Sequence, residues 1–357
     1  MKQPGENAVT LSVGIIGTGE IARDHGRACR MVPDAELVAI CDLSEEALHR
    51  FGDEFGVSRR YSHLEDMLNE NALDIVIVST WGVYHAEICN AVARSGKVRA
   101  ILVEKPISAT ATECESMIAA AQESGTLLTE GFTFRYDPQH LRVKEIVDSG
   151  RLGEVKSIHG TFSSPLVTFA ARSNWRFSRE RGGSSVLDTA SYLIHFARYI
   201  IGTEPKRVYA VGSYFRDSDV DASTAIFLQF PANVTAELTS SYEYGYCQST
   251  TILGTRGWIR VDLPFDQRSA RLVEFVEKED LSAVVTVHYD NFDTEVYQFA
   301  PKNRFERQLD HLCQCLTSGK LPIISPEFSL GNMRVIDAVF ASMRSGQPID
   351  MQPSRTT

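Results

Sequence analysis

At 357 residues the chain is long enough for two domains of ordinary size. Its formal charge of -10 and pI near 5.5 argue against a nucleic-acid partner, because a phosphate-binding surface is normally basic. No apolar stretch approaches the roughly 20 residues of a spanning helix, and residues 1–10 lack the apolar core of a signal peptide, so no membrane partner is expected.

The seven cysteines include no Cys-x-x-Cys pair and read as reduced, buried thiols of a cytoplasmic protein. His311, Cys313 and Cys315 fall on a helix-patterned segment where residues two apart point to different faces. No metal site is expected there.

In chain order the first signal is an apolar, β-prone run, Leu11, Val13, Ile15 and Ile16, that meets Gly17-Thr18-Gly19-Glu20-Ile21-Ala22 and then a helix-compatible stretch to Met31. At a strand-to-helix turn, Gly17 makes the tight turn, Gly19 lets a pyrophosphate approach the backbone and Ala22 permits close helix–strand packing. The helix N-terminus offers free N–H groups to the phosphates. Asp42 ends a second apolar run, 37–41, about 20 residues further on, where a carboxylate takes the ribose hydroxyls of an adenosine. The competing reading makes Asp42 a cap for the helix that starts near Ser44.

Strand-like and helix-like stretches continue to alternate: a helix to about Phe55, a short run around Tyr61, a helix over 62–69 and a buried strand over 74–79. A helix over 84–94, a strand over 100–103, a helix over 112–123 and a strand over 126–134 complete the series. Such an order with nearly continuous apolar strands predicts a parallel sheet covered by helices on both faces. Ligands then gather beyond the carboxyl ends of its strands. Two such ends carry polar residues: Ser79-Thr80-Trp81-Gly82 with His85 behind it, and Glu104-Lys105-Pro106.

Beyond Phe134 the pattern changes. A helix over 137–148 leads to a strand over 155–162, and from Arg207 to Phe299 strands dominate: 208–215, 224–230, 234–242, 249–253, 258–261, 272–276, 283–288 and 295–299. Short loops at 231–233 and 254–257 favour antiparallel pairing. Helices near 305–316 and 329–345 end the fold, and the two termini read as loose. The division expected is a dinucleotide-binding domain over 1–131 and a substrate-binding domain over 132–357.

Between the two patterns lies a helical stretch, 182–199, with Val186, Leu187, Ala190, Leu193, Ile194, Ala197 and Ile200 on a buried stripe. Asp188, Tyr192, His195 and Tyr199 form a second stripe at three- and four-residue spacing. Either this stripe faces water, or it lines a site in which a tyrosine with a neighbouring carboxylate directs proton transfer.

Taken together, Gly17-x-Gly19-x-x-Ala22, the Ser-Thr…His85 segment, Glu104-Lys105-Pro106, Asn174-Trp175-Arg176 and Gly182-Gly183…Asp188-x-x-x-Tyr192 resemble, in order and spacing, the glucose-fructose oxidoreductase / inositol dehydrogenase / rhizopine catabolism (Gfo/Idh/MocA) family. The resemblance covers about residues 11–351. It implies a Rossmann doubly wound parallel sheet followed by an α/β domain with a large, mostly antiparallel open sheet. It also implies oxidation or reduction of one carbon of a sugar or cyclitol with a nicotinamide cofactor. Carried over, Lys105 is the active-site lysine, Asp188 its acidic partner and Tyr192 the residue at the proton-transfer position, where many members have histidine. Tyrosine there resembles the branch with dimeric dihydrodiol dehydrogenase and some xylose dehydrogenases. Trp81-Gly82 departs from the common Pro-Asn, and Asp137 stands where several relatives have histidine.

The residues expected at the cofactor are Gly17, Thr18, Gly19, Glu20, Ile21, Asp42, Thr80, Trp81, His85, Glu104, Lys105, Trp175 and Arg176. Tyrosine, with an ordinary pKa of about 10, is a poor base at pH 7, and a neighbouring ammonium such as that of Lys105 favours its phenolate. His85 is expected to support the cofactor loop or cap its helix, and Trp175 and Arg176 either reach the ligands or anchor a loop. The expected function is an NAD(H)-dependent oxidoreductase for a sugar or polyol, NADP(H) being disfavoured by Asp42. A keto-sugar reductase acting on a nucleotide-linked sugar and a non-enzymatic dinucleotide-sensing regulator are the alternatives. A homodimer or homotetramer built through the second domain's sheet is the expected assembly.

Overall fold

The computed structural model describes residues 10–171, 173–215, 218–265, 283–300 and 303–351. The strand expected over 272–276, and the terminal stretches 1–9 and 352–357, lie outside the described residues. The chain divides into two compact units. One runs to Thr133 and includes Asn303–Leu330, and the other takes residues from Phe134 and from Gly331.

The first unit is built on six parallel strands, β1 (Leu11–Ile16), β2 (Ala35–Cys41), β3 (Arg59–Tyr61), β4 (Leu73–Val78), β5 (Val98–Val103) and β6 (Leu127–Glu130), in the order β3-β2-β1-β4-β5-β6. Ile75, Val76, Ile77 and Val78, like Ala100 to Val103, are buried on alternate sides, so both faces of the sheet are covered. Between the strands run α1 (Glu20–Met31), α2 (Glu45–Phe55), α3 (Leu64–Glu70), α4 (His85–Arg94) and α5 (Ala111–Ser124). Local chemistry sets their ends. Ser44 Oγ accepts from Ala47 N at the start of α2 and left-handed Gly56 stops it, while Thr110 Oγ1 accepts from Glu113 N at the start of α5. Each such cap contributes about 1 kcal/mol. The strand order reverses between β1 and β4, which makes the carboxyl ends of these two strands the switch point where a nucleotide binds in folds of this kind.

The helix Arg304–Ser318 belongs to this unit, although the sequence division put it with residues 132–357. Its Phe305, Leu309, Leu312 and Cys313 join the core formed by Val13, Ile15, Ala28 and Leu102. Periodicity gives such a helix an apolar stripe without naming the surface it will cover.

Among the described residues the second unit carries nine strands: β7 (Val155–Ser163), β8 (Arg207–Tyr214), β9 (Asp221–Gln229), β10 (Thr235–Ser241), β11 (Cys247–Gly254), β12 (Gly257–Asp262), β13 (Ala283–Tyr289), β14 (Thr294–Phe299) and β15 (Ile349–Asp350). Their order is β14-β13-β12-β11-β7-β10-β9-β8-β15, antiparallel except for the β7–β10 pair. One face is apolar and covered, with Ile158, Leu238, Ile226, Ile252 and Val285 buried. At Gly160 a Cβ would lie 2.8 Å from Leu193 Cδ2, so the helix Ser191–Ile201 rests directly on β7. Across the other face the register aligns Tyr209, Phe227, Glu237, His159, Thr251, Arg260, Thr286 and Val296 in one row. Tyr209, Val211, Phe227, Trp258 and Val296 are exposed on this sheet.

Candidate active site

In the first unit the turn after β1 is held shut by its neighbour. Ser79 Oγ donates to Ile16 O (3.2 Å) and Gly17 O (2.7 Å), and Gly17 has φ of 85°. A Cβ on Gly17 would meet Thr80 Cγ2 at 2.8 Å and Ser79 O at 2.9 Å, so only glycine fits. Gly19 is the opposite case. It precedes α1 with no side-chain cap, and a Cβ built there meets nothing within 4 Å. An uncapped helix start with open space beside its Gly19 leaves room for a pyrophosphate. Glu20 points outward toward Arg23, 3.7 Å away, and Ile21 packs on the core, so neither side chain reaches over the turn.

Asp42 joins the glycine turn. Its Oδ2 accepts from Thr18 N (2.6 Å) and Thr18 Oγ1 (2.9 Å), while Oδ1 accepts from Ser44 N (2.8 Å). The carboxylate therefore stabilises the start of α2 and orders the glycine turn together. Thr80 Oγ1 is buried and has no hydrogen-bond partner among the described residues, a polar atom available to a ligand.

His85 ties two strand ends together: its Nδ1 lies 2.9 Å from Pro106 O and its Nε2 3.1 Å from Thr80 O. Burial pulls its pKa down, against the raising effect of those carbonyls, which leaves the ring neutral and able to donate to one of them at a time. Trp81 stacks on Tyr84 at 6.3 Å. Glu104 is buried, its Oε1 lies 2.7 Å from His25 Nε2, and its Oε2 accepts from Lys105 N (3.3 Å). Lys105 thus begins the turn beyond the carboxyl end of β5.

In the second unit, the stretch before the helix Ser191–Ile201 is a π-turn, Val186–Ala190, in which Ser191 N donates to Val186 O. Buried Asp221 pins its start, with Oδ2 accepting from Val186 N (2.8 Å) and Ser185 Oγ (2.7 Å). Asp188 Oδ2 accepts from Arg176 Nε (2.7 Å) and lies 3.0 Å from the hydroxyl of Tyr242. Arg176 in turn lies over the ring of Trp175, 4.6 Å from its centroid. Burial first, then the adjacent Asp188 carboxylate, push the Tyr242 phenol well above its usual range, so Tyr242 stays a donor.

Tyr192, half-buried, packs its ring among Phe134, Phe162 and Phe265 at 5.4–6.2 Å. His195 is fully buried beside Arg135, whose Nη1 is 3.1 Å from its Nε2. Burial, with Arg135 and Arg198 nearby, holds its pKa far below the usual imidazole value, so it is neutral and accepts from the guanidinium. Tyr199 lies under the same guanidinium, 3.8 Å from ring centroid to carbon. A stripe turned wholly to water is excluded by the full burial of His195 and the partial burial of Asp188. Asp137 caps the helix Pro138–Asp148, accepting from Gln139 N (3.0 Å).

The first unit therefore brings together Gly17, Thr18, Gly19, Asp42, Thr80, His85, Glu104 and Lys105, and the second brings together Trp175, Arg176 and Asp188. Sequence reasoning missed His25 and Tyr242. A histidine inside the buried stripe Ala22, Gly26, Cys29 was a readable signal for the first; Tyr242, 54 residues from Asp188, left none. Six of the seven cysteines are buried, and burial pushes the Cys29, Cys41 and Cys313 thiols up to about 12, but Cys247 is exposed. No described helix is long and apolar enough to cross a membrane.

Residues 11–132 match the oxidoreductase family with an NAD-binding Rossmann fold, and residues 140–260 match the GFO/IDH/MocA C-terminal domain. A D-xylose 1-dehydrogenase (NADP(+)) of Haloferax volcanii is 28% identical over 96% of this chain and 100% of its own length. A dTDP-3,4-didehydro-2,6-dideoxy-alpha-D-glucose 3-reductase of Streptomyces antibioticus is 30% identical over 71% of this chain and 76% of its own. The crystal structure of aldose-aldose oxidoreductase from Caulobacter crescentus, complexed with glycerol, superposes with a TM-score of 0.85 at 27% identity, covering 96% of this chain and 100% of that one. With both domains matched in order, the chain belongs to the Gfo/Idh/MocA oxidoreductases, as a dehydrogenase or reductase that uses a nicotinamide dinucleotide.

Proposed function

We propose that this protein transfers a hydride between NAD(H) and a secondary alcohol or ketone carbon of a sugar or cyclitol, with Tyr192 and Lys105 handling the proton. The observation that carries the reading is the built carboxyl end of the first sheet: an uncapped α1 facing open space at Gly19, the unpartnered Thr80 Oγ1, and Asp42 fixed at the turn. These residues fit a dinucleotide. Bound there, its nicotinamide supplies the hydride acceptor or donor. Asp42, beside exposed Leu43, offers a carboxylate and no cation, which favours a free 2′-hydroxyl over a phosphate.

For the chain's own chemistry, the Tyr192 phenolate takes the hydroxyl proton during oxidation and returns it during reduction. The Lys105 ammonium favours that phenolate and stabilises negative charge developing on the substrate oxygen. Asp188, held by Arg176 and Tyr242, supplies the negative charge that balances the cations of the site, and Trp175 and Arg176 contribute to ligand binding from their loop. Buried thiols fit a reducing, cytoplasmic compartment, and the apolar row across the second sheet fits assembly into a homodimer or homotetramer.

Cofactor reduction measured over a panel of aldoses, cyclitols and diols tests this reading. Turnover confined to dTDP-linked keto sugars would favour the second reading, a nucleotide-sugar ketoreductase, for which the Streptomyces relative is the supporting observation. Tight dinucleotide binding with no turnover on any member of the panel would make the protein a sensor.

A further inference from the structure

We infer that His25 is a positioning residue for Lys105, acting through the buried carboxylate of Glu104; this rests on the role given to Lys105 above. His25 sits on α1, the helix whose N-terminus faces the open space at Gly19, and it is 1% exposed. Its Nε2 is 2.7 Å from Glu104 Oε1, and the other oxygen of the same carboxylate accepts from the backbone N–H of Lys105. The edge of its ring meets Phe305 at 4.9 Å and 86°, which fixes the imidazole plane.

Glu104 has little freedom of its own. Its backbone N–H is bonded to Val78 O, and at Gly131 a Cβ would come within 3.3 Å of its Cδ, so the carboxylate group lies in a close-fitting slot beside Gly131. A buried carboxylate is costly unless each oxygen is partnered. His25 supplies one of these partners and Lys105 N another, so the imidazole sets where the carboxylate lies and the carboxylate orients the Lys105 peptide. The chain of bonds runs from the helix at the dinucleotide site to the backbone of the reacting lysine, within one unit. A displacement of about 1 Å in a reacting group can cost on the order of 100-fold in rate, which is the lever such a contact has.

The test compares His25→Leu, His25→Gln and Lys105→Ala by kcat, KM, dinucleotide Kd from cofactor fluorescence, and the pH profile of kcat for alcohol oxidation. Expected for His25→Leu is a fall in kcat of roughly 10- to 100-fold with Kd for the dinucleotide within about threefold of wild type. The rising limb of its pH profile should move to higher pH, because a displaced ammonium favours the phenolate less. His25→Gln keeps a side-chain N–H for Glu104 and should recover most of the rate. A merely structural histidine would lower Tm while leaving kcat per active site and the pH profile unchanged, and that result overturns the inference. Should His25→Leu fail to fold, His25→Asn, whose shorter carboxamide falls short of Glu104, combined with Glu104→Gln tests the same coupling: two single effects on kcat that do not multiply support it, and independent effects overturn it. Lys105→Ala separates the two levels. Full turnover in Lys105→Ala refutes the reading of the lysine, whereas loss there with wild-type kcat in His25→Leu refutes only the role of His25.

Discussion

Asp42 is bonded to the residue between the two glycines of the cofactor turn: its Oδ2 accepts from both the backbone N–H and the hydroxyl of Thr18, at 2.6 and 2.9 Å. The two readings that sequence alone left open, cap and ribose ligand, are not exclusive, because Oδ1 has one bond, to Ser44 N, and retains acceptor capacity. A carboxylate locked this way cannot swing aside for a 2′-phosphate. The catalytic efficiency with NAD(H) should exceed that with NADP(H) by on the order of tenfold or more, since opposed like charges cost several kcal/mol at close range. Asp42→Ser with Leu43→Arg should reverse the order. Equal efficiency of the two cofactors in the wild type would remove the assignment.

The buried imidazoles predict an acid limit on stability. His195 is held far below the usual imidazole value by burial, Arg135 and Arg198, and His85 is lowered by burial. A depressed folded value means that the unfolded chain binds the proton first. The stability is complete above the unfolded value of about 6.5 and is lost as pH falls through the folded values. Tm measured from pH 8 to pH 5 should therefore decline below about 6.5, and less steeply in His195→Gln, whose carboxamide oxygen can still accept from Arg135. A flat Tm across that range would show that these rings already find compensation in the fold.

Much of this architecture was legible because burial writes itself into runs of one kind. Ile75 to Val78 and Ala100 to Val103 are continuous apolar strands since helices cover both faces, and the polar residues that follow them, Thr80 and Lys105, stand at the carboxyl ends for the same reason. Spacing alone did not say what the stripe would meet. Asp188, inside the π-turn Val186–Ala190, meets Arg176 and Tyr242, whereas Tyr192 and His195 share Phe134 and His195 and Tyr199 share Arg135. Long-range partners were also invisible. Nothing local to Phe305 or Leu309 says that their helix returns to the first sheet, and nothing near Asp188 points to Tyr242.

The open face of the second sheet predicts self-association. Tyr209, Phe227 and Val296 lie in one register row with Glu237, His159 and Arg260 between them, an apolar and charged surface that a second copy can match in reverse. Light scattering at micromolar concentration should give a species of at least twice the 39.7 kDa chain mass. Phe227→Glu, placing a second carboxylate opposite Glu237, should shift it toward monomer while dinucleotide affinity is retained. A wild-type protein that scatters only as monomer would dispose of the idea.

Tyr192 and His195 remain the two residues on one helix that invite the same role, and their surroundings now differ. His195 is fully buried, neutral and bonded to Arg135, so protonating it would place a second cation against a guanidinium. Tyr192 is half-buried among apolar rings, and its hydroxyl is the group proposed to exchange a proton with substrate. Tyr192→Phe should preserve the fold and the dinucleotide Kd while lowering kcat by a factor on the order of 10² to 10⁴, the usual worth of a positioned acid–base group. Lys105→Ala should do comparable damage. The double variant should be far less than multiplicatively worse, because two groups that serve one proton transfer are lost together. His195→Gln, by contrast, should lower Tm more than kcat. If Tyr192→Phe stays within a few-fold of wild type while His195→Gln abolishes turnover in a folded protein, the proton-transfer role moves to His195, and the Arg135 contact becomes the means by which that ring is kept unprotonated and ready to accept.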